Sequence, residues 1–104
     1  MAIDYETLLN FDIPEVQQSY GPMEVARYGL TVGMGQDPMD LRQLAYVDGL
    51  ADDRRVMPAI VNVLGHPGFW LGNPETGVNA LKLVHGEQGM TLHNPIPMAG
   101  TIRG

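Results

Sequence analysis

Cysteine is absent from this sequence, which removes disulfides, thiolate metal sites and cysteine nucleophiles together and fits a reducing compartment. Basic residues are scarce: six Lys and Arg stand against twelve Asp and Glu, and the only adjacent basic pair is Arg54 and Arg55. No stripe could neutralise a run of phosphates, so nucleic acid is not an expected partner. A single phosphorylated ligand needs only a few local cations, so the net charge of −6 leaves it open. No apolar run approaches the ~20 residues of a membrane span. Met1 to Glu6 is acidic rather than basic-then-apolar, so no signal peptide is read. The last residues, Ile102, Arg103 and Gly104, carry no peroxisomal address of the Ser-Lys-Leu kind. The cytoplasm is the expected location.

What is present is a globular composition. Apolar residues make up 44% and charged residues 17% of 104 positions, with one texture throughout, which predicts a single domain of modest core. Ile3 to Tyr20 mixes Leu8, Leu9, Phe11 and Ile13 with Asn10, Asp12 and Pro14 and reads as an irregular or edge segment. From Pro22 to about Met34 a helix is predicted: proline suits a first helical position, Glu24 suits the positive helix end, and Met23, Ala26, Leu30 and Met34 recur at helical spacing. Gly29 and Gly33 on that helix predict close packing, expected against a sheet.

Further along, Leu41 to Val47 reads as a short strand, and Val56 to Leu64 as a buried run for which periodicity leaves helix and strand both open. Gly65 to Gly77 is read as loop anchored by Phe69, Trp70 and Leu71. Val78 to His85 and Met90 to His93 have strand character around a Gly86 to Gly89 interruption, and Asn94 to Gly100 is a turn. Thr101 and Ile102 begin a further strand at the chain's end, so the sequence is expected to stop inside a structural unit.

The most distinctive tract is YGLTVGMGQDPMD, Tyr28 to Asp40. Its glycines match neither G-x-G-x-x-G nor G-x-x-x-x-G-K-[ST], so a phosphate loop is not predicted, and a helix end followed by an Asp-Pro turn is. His66, His85 and His93 share no metalloenzyme spacing, and no metal or other cofactor is expected. Glu87, near His85, is not read as its acid/base partner. The methionines Met34, Met39, Met57, Met90 and Met98 read as adaptable packing.

Four tracts taken in order carry a resemblance: YGLTVGMGQDPMD, LRQLAYV (Leu41 to Val47), MPAIVNVLGHPGF (Met57 to Phe69) and KLVHGEQGMTLHNPIPMAG (Lys82 to Gly100). Together they resemble the N-terminal half of enoyl-CoA hydratase 2, the MaoC-like family that includes the hydratase portion of peroxisomal multifunctional enzyme type 2 and bacterial dehydratases. The resemblance implies an α+β fold, an incomplete hot dog domain over 1–104 forming the N-terminal half of a double hot dog, with an antiparallel sheet wrapped around a helix. It implies reversible hydration of trans-2-enoyl-CoA thioesters, with a catalytic hot dog half and a homodimer as partners.

In that family the C-terminal half carries catalysis through D-x-N-P-x-H, an acid/base pair converging on one water. Setting Asp37-Pro38 on the family's Asn-Pro places Gly35 at the catalytic Asp and Asp40 at the catalytic His. Glycine cannot donate or accept from a side chain, and a carboxylate lacks the imidazole's pKa. No catalytic residue is therefore expected in this chain. The resemblance assigns substrate binding to His85 and Gly86, the histidine donating a hydrogen bond and the glycine permitting backbone approach. The rival expectation is a non-enzymatic hot dog binding or scaffold module that pairs with a separate catalytic subunit.

Overall fold

Aspartate or glycine stands at the start of each α-helix, where the first backbone N–H groups have no partner inside the helix. The computed structural model describes residues 3–104. In chain order the elements are helix α1 (Tyr5–Leu9), strand β1 (Gln17–Tyr20), helices α2 (Pro22–Thr31) and α3 (Leu41–Leu44), 3-10 helices over Pro58–Asn62, Trp70–Gly72, Pro74–Thr76 and Ala80–Lys82, and strand β2 (Gly100–Arg103). They fall into two compact units. One joins the chain up to Glu15 with Pro67–His93, and the other joins Val16–His66 with Asn94–Gly104.

The second unit holds the sheet. Strands β1 and β2 pair antiparallel, with Gln17 opposite Arg103, Gln18 opposite Ile102, Ser19 opposite Thr101 and Tyr20 opposite Gly100. The pairing is extended by reciprocal Val16 and Gly104 backbone bonds of 3.0 and 2.9 Å, and by a 2.8 Å bond between the Ser19 and Thr101 hydroxyls. The core of this unit is Tyr20, Val25, Ile60 and Leu64, with Tyr28, Val56, Ile96, Met98 and Ile102 packed around it. The Tyr20 hydroxyl donates to the Pro97 carbonyl at 2.6 Å, which ties the Asn94–Gly100 turn to the core. Burial pushes that phenol above its ordinary value.

Helix α2 begins at Pro22 as expected, with the Glu24 carboxylate accepting from the Gly21 N–H at 2.9 Å. The bonds that carboxylate accepts, first from its own backbone N–H and then from that of Gly21, hold it below the usual carboxylate range. The helix ends at Thr31 rather than Met34, and its buried face is Val25 and Gly29. Met23 and Leu30, whose helical spacing helped predict the helix, are exposed. Tyr28 joins Val25 and Gly29 on the side that packs inward, so the core-facing stripe sits on a different face from the methionine–leucine spacing.

Gly29 does pack closely, but not on a sheet. A Cβ there would lie 2.5 Å from the Tyr46 carbonyl oxygen and 3.1 Å from Val47 Cγ1. The Leu41–Val47 segment that receives it is not a strand. It is helix α3 followed by a turn, started by Asp40, whose Oδ1 accepts from the Arg42 N–H at 3.0 Å. The run Val56–Leu64 resolves into the 3-10 helix Pro58–Asn62, with Ile60 buried and Val63 exposed.

The first unit has little regular structure. Helix α1 is capped by Asp4, whose Oδ1 accepts from Thr7 N–H at 2.7 Å. The Phe11 and Trp70 rings stack with centroids 5.5 Å apart at 24°. Thr76 is its buried polar anchor: the hydroxyl faces the carbonyls of Asn73 (2.7 Å) and Leu71 (3.1 Å), and its oxygen accepts from Val78 N–H at 3.2 Å. The strands expected over Val78–His85 and Met90–His93 are not formed, and residues 83–92 carry neither helix nor strand. Valine, leucine and threonine favour strands only where a neighbouring strand offers pairing, and among the described residues the only ladder is that of β1 with β2.

Candidate functional site

The tract that carries the resemblance most strongly folds onto itself. Gly35 adopts a φ of +80°, and a Cβ at that position would stand 2.8 Å from Val47 Cγ2. Its N–H donates to Gln43 Oε1 at 3.1 Å. An aspartate at Gly35 would therefore be strained in backbone and blocked in space. Asp37 turns the chain across Pro38, its Oδ1 accepting from Met39 N–H at 2.9 Å. Asp40 caps α3 and pairs with Arg42, Nε to Oδ1 at 3.2 Å, and the Arg42 side chain holds its carboxyl below the usual carboxylate range. The two positions set against a catalytic Asp and His thus do structural work: one is a close-packed turn, the other a helix cap.

His85 and Gly86 lie in the other unit, in the stretch without regular structure. They line a concavity of about 500 Å³ whose other walls are Phe69, Leu71, Leu83 and Val84. That lining is apolar apart from the imidazole. The anchoring cluster read from the sequence therefore contributes two of its three members, Phe69 and Leu71, to the wall beside His85.

The imidazole Nε2 lies 3.0 Å from the Glu87 carbonyl oxygen. A carbonyl only accepts, so the proton of a neutral ring sits on Nε2 and Nδ1 keeps its lone pair. Glu87 thus meets His85 through its backbone and not through its carboxylate. Gly86 has no atom within 4 Å of where a Cβ would stand, and its φ lies outside the left-handed region. Nothing in the protein's own packing demands glycine there.

Sequence reading missed α3 and the close approach of Gly29 and Gly35 to Tyr46 and Val47 in the turn that follows it. The signal was available: Asp40 followed three positions later by Gln43 is the D-x-x-Q pattern of a helix start. Gln43 then turns its side chain to the Gly35 N–H rather than back to the cap.

Over an alignment 110 positions long, covering 99% of this chain, the sequence is 33% identical to enoyl-CoA hydratase ChsH3 of Mycobacterium tuberculosis (strain ATCC 25618 / H37Rv). The chain is similar to an enoyl-CoA hydratase. It spans 37% of that hydratase's length, so the likeness covers a part of the relative and not its whole. No protein-family profile matches the chain, and no solved structure matches it. Among the described residues no helix is long and apolar enough to cross a membrane. The relative supports the hydratase side of the resemblance.

Proposed function

We propose that this chain is the substrate-binding, non-catalytic N-terminal part of a hydratase-2-type, MaoC-like enoyl-CoA hydratase acting on trans-2-enoyl-CoA thioesters. The observation that carries the reading is the apolar concavity of Phe69, Leu71, Leu83 and Val84 with His85 and Gly86 at its wall. An acyl chain matches the hydrocarbon lining, and a thioester matches one imidazole beside an uncrowded backbone.

The geometry adds a condition. A neutral imidazole has one N–H, and in His85 it points at the Glu87 carbonyl. To donate to a thioester oxygen the exposed ring must leave that carbonyl, so ligand binding and the His85–Glu87 bond compete. Gly86 has the open space that close approach of a ligand to the backbone needs.

The hydration step itself belongs to a companion half carrying an acid/base pair, because Gly35 and Asp40 are committed to packing and capping. A companion surface also has a physical basis. Among the described residues the buried hydrophobic ones are five, Tyr20, Val25, Ala45, Ile60 and Leu64, while Leu50, Leu81, Val84 and Met39 are each more than four-fifths exposed. Apolar surface of this kind is stabilised when another surface covers it. In the proposed double hot dog, the Leu83–Leu92 stretch finds its strand partners there.

Calorimetric titration of the chain with decanoyl-CoA tests the binding role, and incubation with trans-2-decenoyl-CoA tests the catalytic one. Saturable binding weakened by His85→Ala, with no hydration, is expected. Hydration by this chain alone would contradict the non-catalytic assignment, and absence of binding would contradict the substrate role.

A further inference from the structure

A second cavity, of about 740 Å³, lies in the same unit as His85 but is not lined by it. Its wall includes the stacked pair Phe11 and Trp70 and the carboxylates of Asp12 and Glu75, with the amides of Asn10 and Asn73 beside them. Among the described residues no lysine, arginine or histidine lines it. Neither carboxylate is in an ion pair with another described residue. Both aromatic rings of the pair are half-buried, so each keeps surface toward solvent.

These features share one chemical preference. The face of an indole or phenyl ring carries negative quadrupolar charge and attracts a cation within about 6 Å of its centroid. Two carboxylates without cationic partners add a negative potential at the same wall. The same charges repel a phosphorylated ligand, so this cavity does not suit the phosphates of a CoA. Its volume is within the range of about 300–1,000 Å³ that small-molecule sites occupy.

We propose that this cavity binds a small organic cation of the alkylated-ammonium class, held by the Phe11–Trp70 pair and neutralised by Asp12 and Glu75. The assignment does not rest on acyl-CoA binding, which is placed in the other concavity; Phe69 is the one residue that lines both. The aromatic pair contacts the alkyl groups of the cation, and the carboxylates at the exposed rim set its charge preference.

Trp70 is the sole tryptophan of the chain and so reports directly on its own site. Its fluorescence is followed while choline chloride is added at constant ionic strength, with sodium chloride and the neutral carbon isostere of choline as controls. The expected result is a saturable change with choline alone. The double variant Asp12→Asn, Glu75→Gln is expected to weaken it about fivefold or more. Both carboxylates are exposed, so this variant needs no repacking, and its circular dichroism is compared with that of the parent. A second variant, Phe11→Leu, keeps the reporter while removing half of the pair, and is expected to weaken binding as well. A response that does not saturate, that the neutral isostere reproduces, or that the double variant leaves unchanged would overturn the proposal.

Discussion

Two glycines of this chain make opposite demands on a methyl group. At Gly29 a Cβ would collide with the Tyr46 carbonyl and crowd Val47, in a buried position of α2. Gly29→Ala is therefore expected to lower stability by about 1–3 kcal/mol in urea titrations, the usual cost of overpacking, despite alanine's better helix propensity. At Gly86 a Cβ meets nothing. Gly86→Ala should leave stability unchanged or raise it by up to about 1 kcal/mol, while weakening acyl-CoA binding if the ligand comes close to that backbone. Because the fold is indifferent to the change, any loss of affinity is assigned to the ligand contact itself.

His85 and Gly86 are singled out by the family resemblance, and the structure places both at the wall of one concavity. Their surroundings were not legible in the sequence, because Phe69 and Leu71 reach them from a segment sixteen residues upstream of His85 at its start, a proximity that local patterning does not encode. The roles of Gly35 and Asp40 were half legible. Their lack of an acid/base pair follows from identity alone, whereas the Val47 contact and the Arg42 pairing depend on the folded chain.

Among elements, the ones read correctly are those whose ends are marked by local chemistry. Pro22 and Glu24 mark the start of α2, and Gly33, at a φ of +96°, lies just past its end. Thr101 and Ile102 do enter a strand, β2. The elements read wrongly depend on partners. Leu41–Val47 has the apolar content of a strand, but the Asp40 cap makes its first turn helical. Val78–His85 and Met90–His93 have strand composition and no partner among the described residues.

Two tests belong at this scale. Tyr20→Phe removes the bond to Pro97 and should cost about 1–2 kcal/mol at neutral pH, since a short bond from a buried tyrosine is lost. The Tyr20 hydroxyl titrates above its ordinary value of 10.0 in the fold. Its contribution is fully present below that value and is lost as pH rises through the raised one, so chemical denaturation of the parent should weaken at alkaline pH more than that of the variant. In the other unit, Thr76→Val keeps the shape but strips the hydroxyl from Leu71, Asn73 and Val78. A loss of about 1–3 kcal/mol is expected, measured as a drop in the thermal midpoint, together with weaker acyl-CoA binding because Thr76 braces the segment leading to His85.

For the whole molecule, the small core and the wide apolar surface belong together. A chain with Leu81 97% exposed and Val84 85% exposed buries far less than its composition allows. Both residues sit in the stretch that ends at His85, one of them lining its concavity. The surface that most needs covering is thus also the surface assigned to the acyl chain and the companion half.

The most direct test is one nuclear magnetic resonance titration with trans-2-decenoyl-CoA, following the backbone amides of the protein and the vinyl protons of the ligand in the same sample. The account predicts saturable shifts at Leu83, Val84, His85 and Gly86 while the vinyl signals persist. Shifts absent from those residues, or vinyl signals converting to those of the hydroxyacyl product, would contradict it.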